Sequence, residues 1–283
     1  MKLNLAILGS TGSIGKSLLN IILKDKKKFK ISLLTANSNY QLILEQAKKF
    51  NVKNIIITDK KYFDLARSKN KIKNLHIFNN FQNLEKIFKN KIDYVMSSIV
   101  GLDGLVPTFN IIRHTNKIAI ANKESIICAW NLIKKELKKN KTEFMPVDSE
   151  HFSIWHTLRD SSKDNIEKLY LTASGGPLLK IPIKNFKNLK TNKIIKHPNW
   201  KMGAKISVDS ATMMNKIFEI IEAKKIFEIE YNQISILVHP QSYLHAILKF
   251  KDGMINLIAH DTTMQIPINN TLGPFKNKKL KFK

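Results

Sequence analysis

The run AILGSTGSIGKSLLN, residues 6–20, decides the fold. An apolar stretch of strand character passes directly into a segment of helical length, with Gly9, Gly12 and Gly15 at the junction. Glycines there let the chain turn tightly and bring backbone N–H groups against a pyrophosphate at a helix N-terminus. The spacing is GxxGxxG rather than the commoner GxGxxG, so the triplet alone is weak evidence. Its place at the first strand-to-helix junction of an alternating pattern makes it a dinucleotide signal.

That alternation continues outward. Short β-rich runs (LNLAIL, KISLLT, NIIIT, DYVMSSIV, KIAIA, EFMPV) are separated by polar amphipathic stretches of helical length as far as about residue 146. Strands alternating with helices predict a mostly parallel sheet covered on both faces, a Rossmann-like α/β domain over 1–147. The second half reads differently. KLYLTAS, QISILVH, YLHAILKF and MINLIAH predict a four-stranded, mostly antiparallel sheet, the last two strands joined by Asp252-Gly253. Between the first two lie an irregular stretch rich in Pro, Gly and Asn (176–203) and one long helix from about Ser210. This predicts an α+β catalytic and connective domain over 148–273.

Of the 283 residues, 43% are hydrophobic, which suits a globular chain with proper cores. The formal charge of +26 raises a nucleic-acid reading. It weakens because the charge is almost all lysine, whereas base readout leans on arginine; the arginines are Arg67, Arg113 and Arg159. No nucleic acid and no membrane are expected as partners, since no apolar run approaches the ~18 residues of a span. The lone Cys128, in apolar SIICAW, reads as a core residue and excludes a disulfide framework. With a strand beginning almost at once, leaving no room for a leader, these features predict a cytoplasmic protein.

The end of the second strand selects the cofactor. An NAD enzyme places Asp or Glu there to hold the ribose 2'-hydroxyl; here stand Ala36, Asn37, Ser38 and Asn39, which leave room for a 2'-phosphate and predict NADP.

PVDSEH (146–151) sets Asp148 and Glu150 one residue apart before a helix start. Two like charges 4 Å apart repel by about 4 kcal/mol at an effective dielectric near 20. The pair is either a helix N-terminus, where Ser and acids are favoured, or half of a metal site. Farther on, Asn215, Lys216 and Glu219 share one helical face with Thr212, while Gly203, Ser207 and Ser210 gather at the N-terminus, a place that attracts phosphate. Ser174-Gly175-Gly176 is a second anion-binding candidate or a plain turn.

GSTGSIG, ANKES, PVDSEH, ASGGP, HPNWKMGAKISVDSATMMNK and VHPQS occur in this order, and together they resemble the 1-deoxy-D-xylulose 5-phosphate reductoisomerase family from Met1 to about residue 260. The resemblance implies NADPH and a divalent metal, Mg²⁺ or Mn²⁺, with Asp148, Glu150 and Glu219 as its ligands. It implies Thr11, Gly12, Ser13 and Ile14 at the pyrophosphate, and Ala36, Asn37 and Asn39 at the ribose. Asn122, Glu124 and Gly203 fall on the cofactor side, and Ile99 and Val100 of SIVGL flank the nicotinamide. A sugar phosphate would be held by Lys123, Ser149, Glu150, Ser174, His197, Ser210, Asn215, Lys216 and Glu219, with Lys123, Glu150 and His197 in catalytic roles. His197, Trp200 and Met202 match a mobile lid, and His239 matches a further family histidine. The implied reaction rearranges 1-deoxy-D-xylulose 5-phosphate to a branched aldehyde and reduces it to 2-C-methyl-D-erythritol 4-phosphate. A homodimer is also implied.

The chain departs from the family in three places. It stops near the start of a linker, 274–283, where members continue into a C-terminal helical domain. Asn37-Ser38 replaces a common Gly followed by a basic residue. NLIAHDTTMQIPI replaces a Gly-x-x-Asp-Met-Arg-x-Pro-Ile pattern, with Gln265 at the Arg position. The alternatives are a catalytically impaired family member or a generic NADP-dependent dehydrogenase that works without metal.

Overall fold

The structure is a computed structural model and describes residues 2–200 and 203–273; the lid position Met202 and the expected linker 274–283 lie outside the described residues. Seven strands form the first sheet: β1 (Leu3–Leu8), β2 (Phe29–Ala36), β3 (Asn54–Ile57), β4 (His76–Phe78), β5 (Ile92–Ser97), β6 (Thr115–Ile120) and β7 (Glu143–Pro146). They pair in the order β4-β3-β2-β1-β5-β6-β7, parallel throughout. Its helices are α1 (Ser13–Leu23), α2 (Tyr40–Phe50), α3 (Lys60–Lys69), α4 (Leu84–Ile87), α5 (Leu105–Ile111) and α6 (Lys123–Lys139). β1 shows why these strands read as unbroken apolar runs. Its Leu5 and Ile7 enter the core on one face of the sheet and its Ala6 and Leu8 the core on the other, as expected when helices cover both faces. β4 escaped the sequence because it has only three residues among asparagines.

The strand order reverses between β1 and β5, so a crevice opens where their carboxyl ends part. The glycine loop sits there. Gly9 has φ +82°, and a Cβ on it would lie 2.8 Å from the Ser98 carbonyl oxygen that follows β5. A Cβ on Gly15 would come within 2.4 Å of the Gly9 carbonyl oxygen. These two close approaches let α1 begin directly over the crevice.

The second half contains α7 (Ser149–Thr157), β8 (Ile166–Ala173), α8 (Thr191–Ile194), α9 (Ala204–Ala211), α10 (Met214–Phe227), β9 (Ile234–Val238), β10 (Leu244–Phe250), β11 (Ile255–Ala259) and α11 (Gln265–Thr271). Its sheet runs β11-β10-β8-β9, antiparallel except for β8 with β9. Leu169, Leu171, Ala246 and Leu248 pack with Ile154 of α7 and Ala223 and Phe227 of α10 into a third core. Finally α11 returns to the first sheet. Ile268 and Leu272 join its core, and the Thr271 hydroxyl pairs with Tyr94 Oη at 2.8 Å.

Three expectations need correction. The single helix expected from Ser210 is two, because Met213 adopts φ +61° and breaks it. Thr212 therefore caps the end of α9, its hydroxyl donating to the Val208 carbonyl at 3.0 Å, and does not share the Asn215, Lys216, Glu219 face. Cys128 is exposed rather than core. The buried stripe of α6 runs through Ile126, Ala129, Trp130, Ile133 and Leu137, and at 100° per residue position 128 points away from it.

Candidate active site

A cavity of about 550 Å³ lies between the two sheets, reaching from Ser13 and Ile14 of the glycine loop to His245 of β10. Asp148, Glu150 and Glu219 face it, with one oxygen from each within 4.8 Å of the others. PVDSEH serves as a helix N-terminus and also contributes two acids to a carboxylate cluster. Asp148 is the N-cap of α7, its Oδ1 accepting from the Glu150 N–H at 3.4 Å, while its other oxygen faces Lys123. Ser149 is not the cap; its hydroxyl donates to Glu150 Oε2 at 2.5 Å.

Two buried ammonium groups hold the carboxylates together. Lys123 Nζ lies 2.8 Å from Asp148 Oδ2 and 3.6 Å from Glu219 Oε1, and donates to Asn215 Oδ1 at 2.6 Å. Lys216 Nζ lies 2.8 Å from Glu150 Oε1 and also donates to Glu219 Oε2 and the Thr172 carbonyl. The Asn215 amide donates to Glu219 Oε1. Lys216 and Asn215, matched above to phosphate contacts, thus stand inside the carboxylate cluster with their polar atoms engaged there.

Burial alone would strip the proton from Lys123, but Asp148, Glu219 and Glu222 outweigh it and hold the ammonium well above its usual range. Lys216 is likewise held up by Glu150 and Glu219 against its burial. Burial, followed by the neighbouring Glu150, pushes Glu219 up to about 7 despite Lys216. Burial also takes Glu222 up to about 7. Asp148, buried yet facing Lys123, is held well below its usual range. Four carboxylates, two fully buried and two half-buried, gather around Lys123 and Lys216. Such a set of hard oxygen donors suits Mg²⁺ or Mn²⁺, and the residues present fit such an ion.

Ser174 and Ser210 form a second corner of the cavity. Gly176, at φ +68°, brings its backbone so near that a Cβ would sit 2.6 Å from the Ser210 carbonyl oxygen. His197 Nδ1 accepts the N–H groups of Asn199 (3.1 Å) and Trp200 (3.0 Å), so its proton is on Nε2, which donates to Ser174 Oγ at 2.8 Å. The Gly176 N–H donates to the same oxygen at 3.1 Å. With both lone pairs of Ser174 engaged, its own O–H is left for an acceptor in the cavity. Burial lowers His197, which keeps it neutral. Trp200 meets His245 edge-on at 5.9 Å between ring centres.

On the cofactor side, Gly12 caps α1 and Ser13 and Ile14 line the cavity beside Thr11. Asn37, Ser38 and Asn39 are exposed past Ala36 at the end of β2, and no acid stands there. Asn39 also caps α2 through the Leu42 N–H at 3.2 Å. Asn122 is 2% exposed with its amide spent: Oδ1 accepts from the Ser125 N–H at 2.6 Å, and Nδ2 donates to the Gly101 carbonyl at 2.8 Å and to that of Ile99. It shapes the Ile99-to-Gly101 loop. Glu124 pairs with Lys205 of α9 at 2.8 Å, next to Gly203, the N-cap of that helix. His239 continues the β8–β9 ladder through its N–H, 2.7 Å from the Ala173 carbonyl.

A histidine and an acid escaped the sequence reading. His151 and Glu222 are buried against the metal-type cluster, and Asp148, His151 and Glu222 also bring ligand atoms within 4.8 Å of one another. The i, i+3 spacing of Glu219 with Glu222, and of Asp148 with His151, was the available signal.

A doubly wound nucleotide domain joined to a smaller sheet with a carboxylate-and-hydroxyl cavity defines a nucleotide-dependent oxidoreductase with a site for a divalent cation. Residues 5–130 match the sequence family 1-deoxy-D-xylulose 5-phosphate reductoisomerase and residues 144–227 its C-terminal domain family. The 1-deoxy-D-xylulose 5-phosphate reductoisomerase of Pelagibacter ubique is 59% identical over 281 residues, covering 99% of this chain and 72% of that protein. A crystal structure of a DOX-P reductoisomerase in complex with NADPH, fosmidomycin and magnesium superposes with a TM-score of 0.90 at 35% identity, over 99% of this chain and 71% of that one. The enzyme from Zymomonas mobilis in complex with NADPH gives 0.88 at 32% identity, over 100% and 73%. The chain belongs to the 1-deoxy-D-xylulose 5-phosphate reductoisomerase family.

Proposed function

We propose that this protein uses NADPH and a divalent cation to rearrange 1-deoxy-D-xylulose 5-phosphate and reduce the product to 2-C-methyl-D-erythritol 4-phosphate. The observation that carries the reading is the convergence of Asp148, Glu150 and Glu219 within 4.8 Å, in the same cavity as the Ser174 and Ser210 corner. When bound, the cation supplies Lewis-acid polarisation of the substrate oxygens and NADPH supplies the hydride.

The chain's own residues do the rest. Ser174, oriented by His197 and the Gly176 N–H, and Ser210 hold the phosphate, and that fixed handle orients the reacting carbons. Lys123 and Lys216 hold the three carboxylates in register and keep them ionised when a cation is present. Glu150 and Ser149 border the substrate, and Trp200 with His245 closes the cavity against water. Thr11, Gly12, Ser13 and Ile14 take the pyrophosphate over α1. Asn37, Ser38 and Asn39 hold the 2'-phosphate, while Asn122 and Glu124 set the loop and helix beside the nicotinamide.

The two separate sheets support a division into 1–147 and 148–273, with α11 crossing back as a strap. The outer face of β11 leaves Ile255 57% and Leu257 50% exposed on an edge strand, which suits a homodimer. No helix among the described residues is long and apolar enough to cross a membrane, and an exposed, unpaired Cys128 suits the reducing cytoplasm. The test is an assay of NADPH oxidation. Turnover should require both the pentulose phosphate and Mg²⁺ or Mn²⁺; substrate-dependent turnover that survives full chelation overturns the metal reading.

A further inference from the structure

Beyond the three carboxylates, α7 and α10 interlock through a second set of side chains. On α7, Asp148 and His151 are three residues apart; on α10, Glu219 and Glu222 are three apart. Such pairs share a helix face, and the two faces meet. His151 is fully buried, and its Nε2 lies 2.9 Å from the Glu219 main-chain carbonyl. Because that oxygen only accepts, Nε2 carries a proton. The ring also stacks on Phe227, 6.2 Å between centres and 8° between planes. Hydrogen bond and stack together fix the imidazole plane.

Nδ1 of the fixed ring points between two carboxylates, 3.6 Å from Asp148 Oδ1 and 3.8 Å from Glu222 Oε2. Neither is within hydrogen-bonding distance. Nδ1 and Glu222 Oε2 are both buried without a hydrogen-bond partner, although buried polar atoms are nearly always paired. Glu222 is 2% exposed and does not line the cavity. We propose that Glu222 is a positioning residue: through His151 it fixes the Asp148 carboxylate and the main chain at Glu219, and so sets how tightly the three carboxylates take a divalent cation. The inference rests on the metal reading above.

The direction follows from the geometry. Nδ1 stands between Asp148 and Glu222. With the Glu222 charge present, the pull on Nδ1 is divided and Asp148 Oδ1 makes no hydrogen bond to the fixed ring. When that charge is removed, Asp148 alone answers Nδ1, and its carboxylate is drawn toward the ring and away from the cation. Partners standing behind a metal ligand in this way alter affinity by roughly 10- to 100-fold.

Mn²⁺ binding to the cation-stripped full chain, followed by the EPR signal of free Mn²⁺ without substrate, tests this. Glu222→Gln should raise the Mn²⁺ Kd by about 10-fold or more while the NADPH Kd and the melting temperature of the cation-free protein stay at wild-type values. An unchanged Mn²⁺ Kd overturns the inference, and so does an equal loss of NADPH affinity, which would mean general damage to the fold. Should Glu222→Gln not fold, Glu222→Asp keeps the charge but withdraws it by one methylene, and its Mn²⁺ Kd must still rise. In a His151→Gln background, Glu222→Gln should have little further effect; a full-sized effect there overturns the route through His151. A wild-type chain that binds no Mn²⁺ overturns the metal reading and this inference with it, whereas wild-type binding with unaltered variants overturns this inference alone.

Discussion

Lowering the pH should weaken Mn²⁺ binding, with a slope that the structure fixes. In the cation-free chain, burial and the adjacent Glu150 push Glu219 up to about 7, from an ordinary value near 4.5. Below that pH the carboxyl carries a proton that must leave before the oxygen can take a cation. Asp148, held well below its usual range beside Lys123, is already ionised. Well below pH 7 one proton is therefore released per cation bound, and affinity falls toward tenfold, or about 1.4 kcal/mol, per pH unit. Between pH 7 and 5.5 the loss is roughly 16-fold, because half of the carboxyl is already ionised at pH 7. The sign for stability is opposite. A carboxyl whose folded value is raised stabilises the fold below its unfolded value, and that contribution is lost as pH rises through about 7. The cation restores it: at 100 times its Kd it adds about 2.7 kcal/mol, which raises the melting temperature by roughly 5–10 °C for a chain of this size. Mn²⁺ titrations by EPR at pH 5.5, 6.25, 7 and 7.75, paired with melting curves, measure both. An affinity independent of pH over this range, or one that rises as pH falls, would refute the argument. Glu219→Gln should abolish binding together with its pH dependence.

A methyl group on Gly15 would press to 2.4 Å from the Gly9 carbonyl oxygen, so Gly15→Ala should lower NADPH affinity at least tenfold, by about 1.4 kcal/mol; unchanged quenching of protein fluorescence by NADPH contradicts this. Ser174→Ala removes the hydroxyl that His197 and the Gly176 N–H orient. It should raise KM for the sugar phosphate about tenfold, as expected for the loss of a hydrogen bond to a charged group, and a loss confined to kcat would mean the hydroxyl does not hold the phosphate. Asn37→Asp places an acid where the 2'-phosphate would sit, and the ratio of kcat/KM for NADPH over NADH should fall at least tenfold; an unchanged ratio would move the ribose elsewhere. Leu257→Glu, on the exposed face of β11, should yield monomers in sedimentation at unaltered melting temperature, and a persistent dimer would assign the interface to another surface.

The sequence by itself determined the two sheets, the crevice beneath the glycine loop and the identity of the acids. Burial on both faces of a parallel sheet forces unbroken apolar strands, and a helix laid on a sheet forces a 3.6-residue stripe; both marks are local and survive in one dimension. The same stripe, read through Ile126, Trp130 and Ile133, could have placed Cys128 outside, and its apolar neighbours hid that. Which faces meet was left to the tertiary structure. It broke the long helix at Met213, whose left-handed φ no periodicity announces. It turned Asp148 into cap and cluster member at once, spent the Asn122 amide on its own loop, and brought α11 back to the first sheet. Lys123 finds Asn215 across 92 residues and Lys216 finds Glu150 across 66, and Glu222 and His151 meet only because α7 and α10 cross at that point. A charge declares its sign in the sequence, but its partner is set by where two helices touch.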